Sequence, residues 1–379
     1  MKAKFLIENE PLRLTKEALD KVLIYCSKLD ASDITLQTGE PVIAEIHGKL
    51  EHITRRELHN AEVGEILNAI YGPNGTTQLL SGKDVDTHYE IRPARGERFR
   101  FRVNGTGCQV EGHDEIQITL RTIPGLPPAL EHLNLEPKVL DAIMPEEGVV
   151  YVTGATGSGK STLLASIIRH IAQQEQSHRK ILTYEAPIEF IFDGVEKPSS
   201  VISQSEIPRH LPNFADGVRN ALRRKPRLIL VGEARDKETI AAVMEAALTG
   251  HPVYTTLHSN GVSEVMRRLV TTFPADERHG RTVDIIETIR LIIWQKLVPT
   301  VDGKRTALRE YLIFDEEVRD MLLETDLENI TAAARRLVIE RGQTMFSQAE
   351  EKFNKGEISE RTFKILAAGS KNMDRDAGL

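Results

Sequence analysis

The segment Val149–Thr162, VVYVTGATGSGKST, restricts this chain more than any other stretch. An apolar β-prone run, Val149 to Val152, leads into the turn Gly154-Ala155-Thr156-Gly157-Ser158-Gly159-Lys160-Ser161. Thr162 then opens a segment with helical apolar spacing, Leu163-Leu164-Ala165-Ser166-Ile167-Ile168. Strand, glycine-rich turn and helix form the context that a phosphate-binding loop requires. Glycines let successive backbone N–H groups point into one concavity, and the helix N-terminus adds partial positive charge there. In such a loop Lys160 reaches the β- and γ-phosphates and the Ser161 hydroxyl holds Mg²⁺. Residues Gly154 to Thr162 are therefore the expected nucleotide-binding set, with a nucleoside triphosphate and Mg²⁺ as ligands. A proline or β-branched residue at Gly159 is expected to close the cradle.

A chain of 379 residues is expected to form two or three domains. With 40% hydrophobic and 28% charged residues its balance is that of a globular protein. No apolar run approaches the roughly 18 residues of a membrane helix, and MKAKFLIENE is too polar for a signal peptide. A cytoplasmic location is the expectation. Cys26 and Cys108 provide neither a disulfide framework nor a tetrahedral zinc site. The net charge of -7 argues against nucleic acid as a partner.

Before the loop, the patterning describes an α+β domain. Leu19, Val22, Leu23, Cys26 and Leu29 share a helical face between residues 14 and 29, and a second helix spans 58–71. Short strands surround Ile34–Leu50, followed by runs at 87–92, 98–103 and 116–121. Strict alternation in Arg98-Phe99-Arg100-Phe101-Arg102-Val103 puts the apolar residues on one face and three arginines on the other. With Arg121 ending the next strand, that face is either an anion-facing surface or simply a solvated one. Three prolines and a glycine in 122–128 mark a domain boundary. A helix is expected at 133–143.

After the loop, strands at 180–184, 228–231 and 253–257 alternate with helices at 161–174, 216–224 and 237–249, implying a mostly parallel sheet. Further helices are expected at 261–270 and 283–297, then two strand-like runs around Asp302-Gly303. Helices follow at 327–341, 344–355 and 359–368, with a frayed polar tail after Gly369. In a parallel sheet the ligand lies beyond the carboxyl ends of the strands. Those ends carry Glu185 and Glu189, then Glu233 with Arg235 and Asp236, then His258. Phosphoryl transfer uses such acids to anchor Mg²⁺ and orient water, and cations to balance developing charge.

Four segments occur in a fixed order: GATGSGKST, ILTYEAPIEF (181–190), ALRRKPRLILVGEARDKET (221–239) and ALTGHPVYTTLHSN (247–260). They resemble the Walker A, Asp box, Walker B and His box of the type II/type IV secretion ATPase superfamily. RFRVN (100–104) and LRTIP (120–124) resemble the end of the N-terminal domain in its PilT-like branch, and within that branch the type IVB (Dot/Icm) secretion ATPases are most similar. The resemblance implies an α/β protein with a PAS-like N-terminal domain at 1–123, a linker at 124–136, a RecA-like ATPase core at 137–315 and C-terminal helices at 316–379. It also implies a homohexamer at the cytoplasmic face of the inner membrane, docked on membrane or ATPase components of a secretion machine. By the same resemblance Glu185 is the general base or the acid that orients water, Glu233 acts on Mg²⁺ with Ser161, His258 senses the γ-phosphate, and Arg100, Arg102 and Arg121 supply positive charge to the nucleotide, their own or a neighbour's. Two positions depart from the family pattern: Ala186 stands where the Asp box has aspartate, and Arg227 where Walker B has aspartate. A pilus-retraction ATPase is the alternative, sharing the same mechanism.

Overall fold

Thr15 starts the first helix, its hydroxyl accepting the Ala18 N–H at 3.3 Å. This helix, α1 (Lys16–Lys28), buries Leu19, Val22, Leu23 and Cys26, the stripe expected from the 3.6-residue period. The computed structural model containing it describes residues 5–123 and 125–376. Pro124, within the expected boundary, lies outside the described residues, as do the first four residues of the lead-in and the last three of the tail.

The chain divides into two units, 1–125 and 126–379. In the first, β1 (Ala31–Gln37), β2 (Ile43–Ile46) and β3 (Lys49–His52) follow α1. Then come α2 (Asn60–Tyr71), α3 (Gly75–Leu80), β4 (Val85–Ile91), β5 (Phe99–Val110) and β6 (His113–Ile123). The strands form one antiparallel sheet in the order β3-β2-β1-β6-β5-β4. Ile34, Leu36, Phe101, Val103, Ile118 and Leu120 join the apolar stripes of α1 and α2 in its core.

The arginine alternation is only partly realised on β5. Phe101 and Val103 are fully buried, but so is Arg100, at 6% exposure. Arg100 lies opposite Glu90 of β4 and Ile123 of β6, and its Nε is 3.6 Å from Glu90. Its burial depends on partners from other strands, which a single-strand pattern does not reveal. Arg102 and Arg121 are opposite one another across β5 and β6 and stay exposed. They pair with Asp86 at 2.9 Å and Asp33 at 2.8 Å.

The second unit opens with a 3-10 turn, Leu130–Leu133, and α4 (Pro137–Ala142), where a single helix over 133–143 was expected. Leu130 and Leu135 are buried in this unit's core, so the stretch read as a linker packs against the sheet. The elements that follow are β7 (Gly148–Thr153), α5 (Lys160–Gln173), β8 (Lys180–Glu185), β9 (Val201–Glu206), α6 (Phe214–Leu222), β10 (Leu228–Val231), α7 (Lys237–Leu248) and β11 (Pro252–Leu257). Next come α8 (Val262–Thr271), α9 (Arg278–Thr288), β12 (Ile289–Pro299) and β13 (Arg305–Ile313). The chain then turns helical: α10 (Glu316–Leu323), α11 (Ile330–Glu340), α12 (Met345–Asn354) and α13 (Glu360–Asp376). Helix α13 extends to Asp376, into the segment expected to fray.

The sheet order is β13-β12-β7-β11-β10-β8-β9, with only β13 antiparallel to its neighbour. Strands β7, β10 and β11 are buried along their whole length, as a parallel sheet covered on both faces requires. Alternation divides their side chains between two cores. Val149, Tyr151, Ile229 and Val231 face α6 to α9, whereas Val150, Val152, Leu228 and Leu230 face α4 and α5.

Two expectations about this sheet are corrected. Residues 283–297 were read as one helix, but the helix ends at Thr288 and the remainder is β12. Ile289-Arg290-Leu291-Ile292-Ile293 suits either element by pattern, and parallel pairing with β7 selects the strand. Strand β9 was not expected at all. Val201-Ile202-Ser203-Gln204-Ser205-Glu206 lies half-exposed at the sheet edge, without the apolar run of a central strand.

Candidate nucleotide site

Pairing brings the informative strand ends together. Thr153 of β7 pairs with Leu257 of β11, Thr255 with Val231 of β10, and Val231 with Tyr184 of β8. The residues immediately following, Gly154, His258, Gly232-Glu233 and Glu185, therefore gather at one sheet edge. Thr153 Oγ1 and Ser259 Oγ lie 2.7 Å apart, and the Thr256 hydroxyl donates to the Gly232 carbonyl at 2.6 Å. These bonds hold the three turns against each other.

The loop of 154–159 curls because its glycines occupy left-handed backbone. Gly154 has φ 146° and Gly159 φ 83°. A Cβ at Gly154 would lie 2.3 Å from the Gln295 carbonyl oxygen, and one at Gly159 2.9 Å from Gln295 Nε2, so close approach to β12 adds to the conformational demand. Lys160, at the start of α5, is buried and donates to the carbonyls of Gly154 at 3.0 Å and Ala155 at 2.9 Å. Burial lowers its pKa, opposed by the negative charges of Glu233 and Glu189. Ser158 Oγ is buried and has no hydrogen-bond partner, and a Cβ at Gly157 would meet nothing within 4 Å. A concavity with an unsatisfied hydroxyl, a buried ammonium and the α5 N-terminus fits an anionic phosphate chain.

Acids face that cation. Glu233 lies close enough to act on Lys160, and its Oε1 is 3.6 Å from His258 Nε2. The Arg268 guanidinium donates to the His258 carbonyl at 2.6 Å, which fixes the turn carrying the imidazole. Glu185 is half-buried at the end of β8. Its Oε1 accepts from Thr183 Oγ1 at 2.6 Å and from Gln204 Nε2 at 3.1 Å. Burial pushes the Glu185 carboxyl up to about 7, helped by the nearby charge of Glu189 and opposed by those two hydrogen bonds. A carboxyl titrating near neutrality is suited to accept a proton from water.

Lys160, Ser161, Glu185, Glu233 and His258 thus share one sheet edge. Arg102 and Arg121 belong to the first unit. Sequence reasoning missed Thr183, Gln204, Ser259, Arg268 and Gln295. Gln204 escaped because β9 was not seen, and Gln295 because it fell inside an expected helix. Of these, only Thr183 carried a local signal, two residues before Glu185 on the same strand.

The seven-stranded sheet, with a phosphate loop between β7 and α5 and acids at the adjacent strand ends, defines a RecA-like P-loop ATPase preceded by an N-terminal domain. The family model for "Type II/IV secretion system protein" matches residues 86–352, and the chain belongs to that family. Among solved structures, the Legionella pneumophila ATPase DotB is 65% identical, with a TM-score of 0.89 over 96% of this chain and 99% of that one. The pilus retraction motor PilT with bound ADP is 29% identical, with a TM-score of 0.77 over 91% of this chain and 95% of that one. A twitching motility protein of Neisseria gonorrhoeae is 33% identical over 355 residues, 92% of this chain and 91% of its own length. The chain is an ATP-hydrolysing enzyme of this family. No helix among the described residues is long and apolar enough to cross a membrane.

Proposed function

We propose that this chain is a homohexameric motor that couples ATP hydrolysis to protein export through a type IVB secretion machine. It would work at the cytoplasmic face of the inner membrane, docked on the machine's own components. The observation that carries this reading is the 65% identity to the DotB ATPase along nearly the full length of both chains, against 29% for the PilT retraction motor.

In this reading the amides of Gly154 to Thr162 bind the phosphates. Lys160 leaves its two loop carbonyls to contact the β- and γ-phosphates. Ser161 and Glu233 are the residues that would hold Mg²⁺, which would supply positive charge to neutralise the phosphates. Glu185, held by Thr183 and Gln204, takes the proton of the attacking water. His258, beside Glu233, reports the γ-phosphate to α8 through the turn at Ser259. The nucleoside would occupy the cavity of about 240 Å³ beside the loop, lined by Leu133, Asn134, Gly159, Thr162 and Arg305. Arg102 and Arg121 would exchange their carboxylate partners for the nucleotide of a neighbouring copy.

The test uses Glu185→Gln in the cells that encode the chain. A motor variant that binds ATP without turnover should still join the secretion machine but export nothing. Export at the wild-type rate would reject the motor reading, and loss of pilus retraction in place of export would assign the alternative.

A further inference from the structure

Three buried polar side chains and the half-buried Glu136 lie outside the catalytic set. Gln295 of β12, Arg309 of β13 and Gln348 of α12 are 3%, 2% and 5% exposed, and Glu136 precedes α4. Gln295 and Arg309 are register partners, and Arg309 Nε donates to Gln295 Oε1 at 2.9 Å. A guanidinium can only donate, so the Gln295 amide is fixed: its oxygen must face Arg309 and its NH₂ must face away. That NH₂ donates to the Ser158 carbonyl at 2.7 Å.

The bond to Ser158 reaches the phosphate loop directly. The Ser158 carbonyl and the Gly159 N–H belong to one planar trans peptide and point in opposite directions. Holding the carbonyl toward β12 therefore aims the Gly159 N–H away from β12. Gln295 also limits the other end of the loop, since its own carbonyl approaches Gly154 too closely for any Cβ.

On its other side Arg309 reaches the segment leading from the first unit. Nη2 donates to the Leu133 carbonyl at 2.9 Å and Nη1 to the Asn134 carbonyl at 3.3 Å. The Arg309 backbone N–H donates to Gln348, and the Gln348 amide donates to Glu136. Gln343 donates to the same Glu136 oxygen at 3.4 Å. Beside Arg309, Glu310 accepts the Val262 N–H at 2.9 Å and the Met345 N–H at 3.5 Å, tying the helix after His258 to the start of α12. Removing one member of this network leaves buried donors or acceptors of the others unpaired.

We propose that Gln295 and Arg309 are positioning residues for the ATPase site, which orient the Gly159 amide and couple the loop's nucleotide state to residues 133–136 and to α12. The proposal rests on the loop being the phosphate site. Nucleotide contacts that rotate the Ser158–Gly159 peptide break or strengthen the Gln295 bond. Through Arg309 the change reaches the strap before α4 and the N-terminal turn of α12.

Gln295→Glu isolates the relay. A carboxylate still accepts from Arg309 but cannot donate to Ser158, so only the loop arm is lost. ADP affinity of the full chain should weaken roughly tenfold, the ratio expected for one lost buried hydrogen bond. Hydrogen exchange then provides a readout that a purely structural role would not move. In the wild type, saturating ADP should change exchange at 133–136 and 344–348 as well as at the loop. In Gln295→Glu, saturating ADP should change exchange at the loop alone. Wild-type affinity, or an undiminished remote response, overturns the proposal. If Gln295→Glu does not fold, Arg309→Lys, which keeps the charge but loses the fork, is held to the same two outcomes. Lys160→Ala is measured alongside: if it binds ADP normally, the phosphate-loop reading fails, whereas a normal Gln295→Glu beside a non-binding Lys160→Ala overturns the relay alone.

Discussion

Glu185→Gln is expected to lower turnover and raise stability together, both effects growing as pH rises through about 7. The Glu185 carboxyl titrates at about 7 in the folded chain against 4.5 for the free group, because burial disfavours its charged form. The folded state therefore binds this proton more tightly than the unfolded state. Its favourable contribution is complete below pH 4.5 and is lost as pH rises through about 7. The full difference sets an upper limit of about 3 kcal/mol, and partial solvent access reduces it to about 1–2 kcal/mol. Gln at this position still accepts from Thr183 and Gln204 and carries no charge. The melting temperature of the ATPase unit should then rise by about 2–4 °C per kcal/mol at pH 8 and change little at pH 5. ATP turnover should fall by about 10² to 10⁴, the usual contribution of a general base. Wild-type turnover should rise through a limb near pH 7 that the variant lacks. Calorimetry at both pH values and phosphate release from pH 6 to 8.5 test both halves. Turnover within fivefold of wild type, or an unchanged melting temperature at pH 8, would refute the reasoning.

Glu233→Gln should raise the Mg²⁺ concentration needed for half-maximal turnover; if Glu185→Gln does this instead, the roles of the two acids are exchanged. Gly159→Ala combines a left-handed φ with a Cβ 2.9 Å from Gln295 Nε2. It should cost about 1–3 kcal/mol and abolish ADP binding, and normal calorimetric titration by ADP would contradict the loop geometry. Arg102→Ala should leave the fold intact, since its partner Asp86 is exposed too, but reduce turnover sharply. Mixing Arg102→Ala with Lys160→Ala subunits should restore part of the activity, because an intact arginine then meets an intact loop. No recovery in demonstrably mixed assemblies would remove the trans arginine.

The site residues visible in the sequence share a local cause. Glycines, the lysine and the hydroxyl of the loop are contiguous, and Glu185, Glu233 and His258 each follow a short apolar, β-prone run that reads as a buried strand. What stayed hidden depends on partners distant in sequence. Gln204 acts only because β9 pairs with β8, and β9 has no apolar signature. Gln295 sat in a run whose pattern suits helix as well as strand, and its place follows from pairing of β12 with β7 on one side and β13 on the other. Arg100 alternated as a surface residue, yet it is buried, with Glu90 and Ile123 as its partners on the flanking strands.

The most direct test of the account is the initial rate of phosphate release from Mg·ATP by the purified full chain and by Lys160→Ala. The buried Lys160 ammonium, bonded to the loop carbonyls and facing Glu233, is the cation on which phosphate binding depends in the proposed function. Removing it should take hydrolysis to near background at every ATP concentration. A Lys160→Ala chain that keeps more than about half of the wild-type rate would place the ATPase chemistry elsewhere and contradict the account.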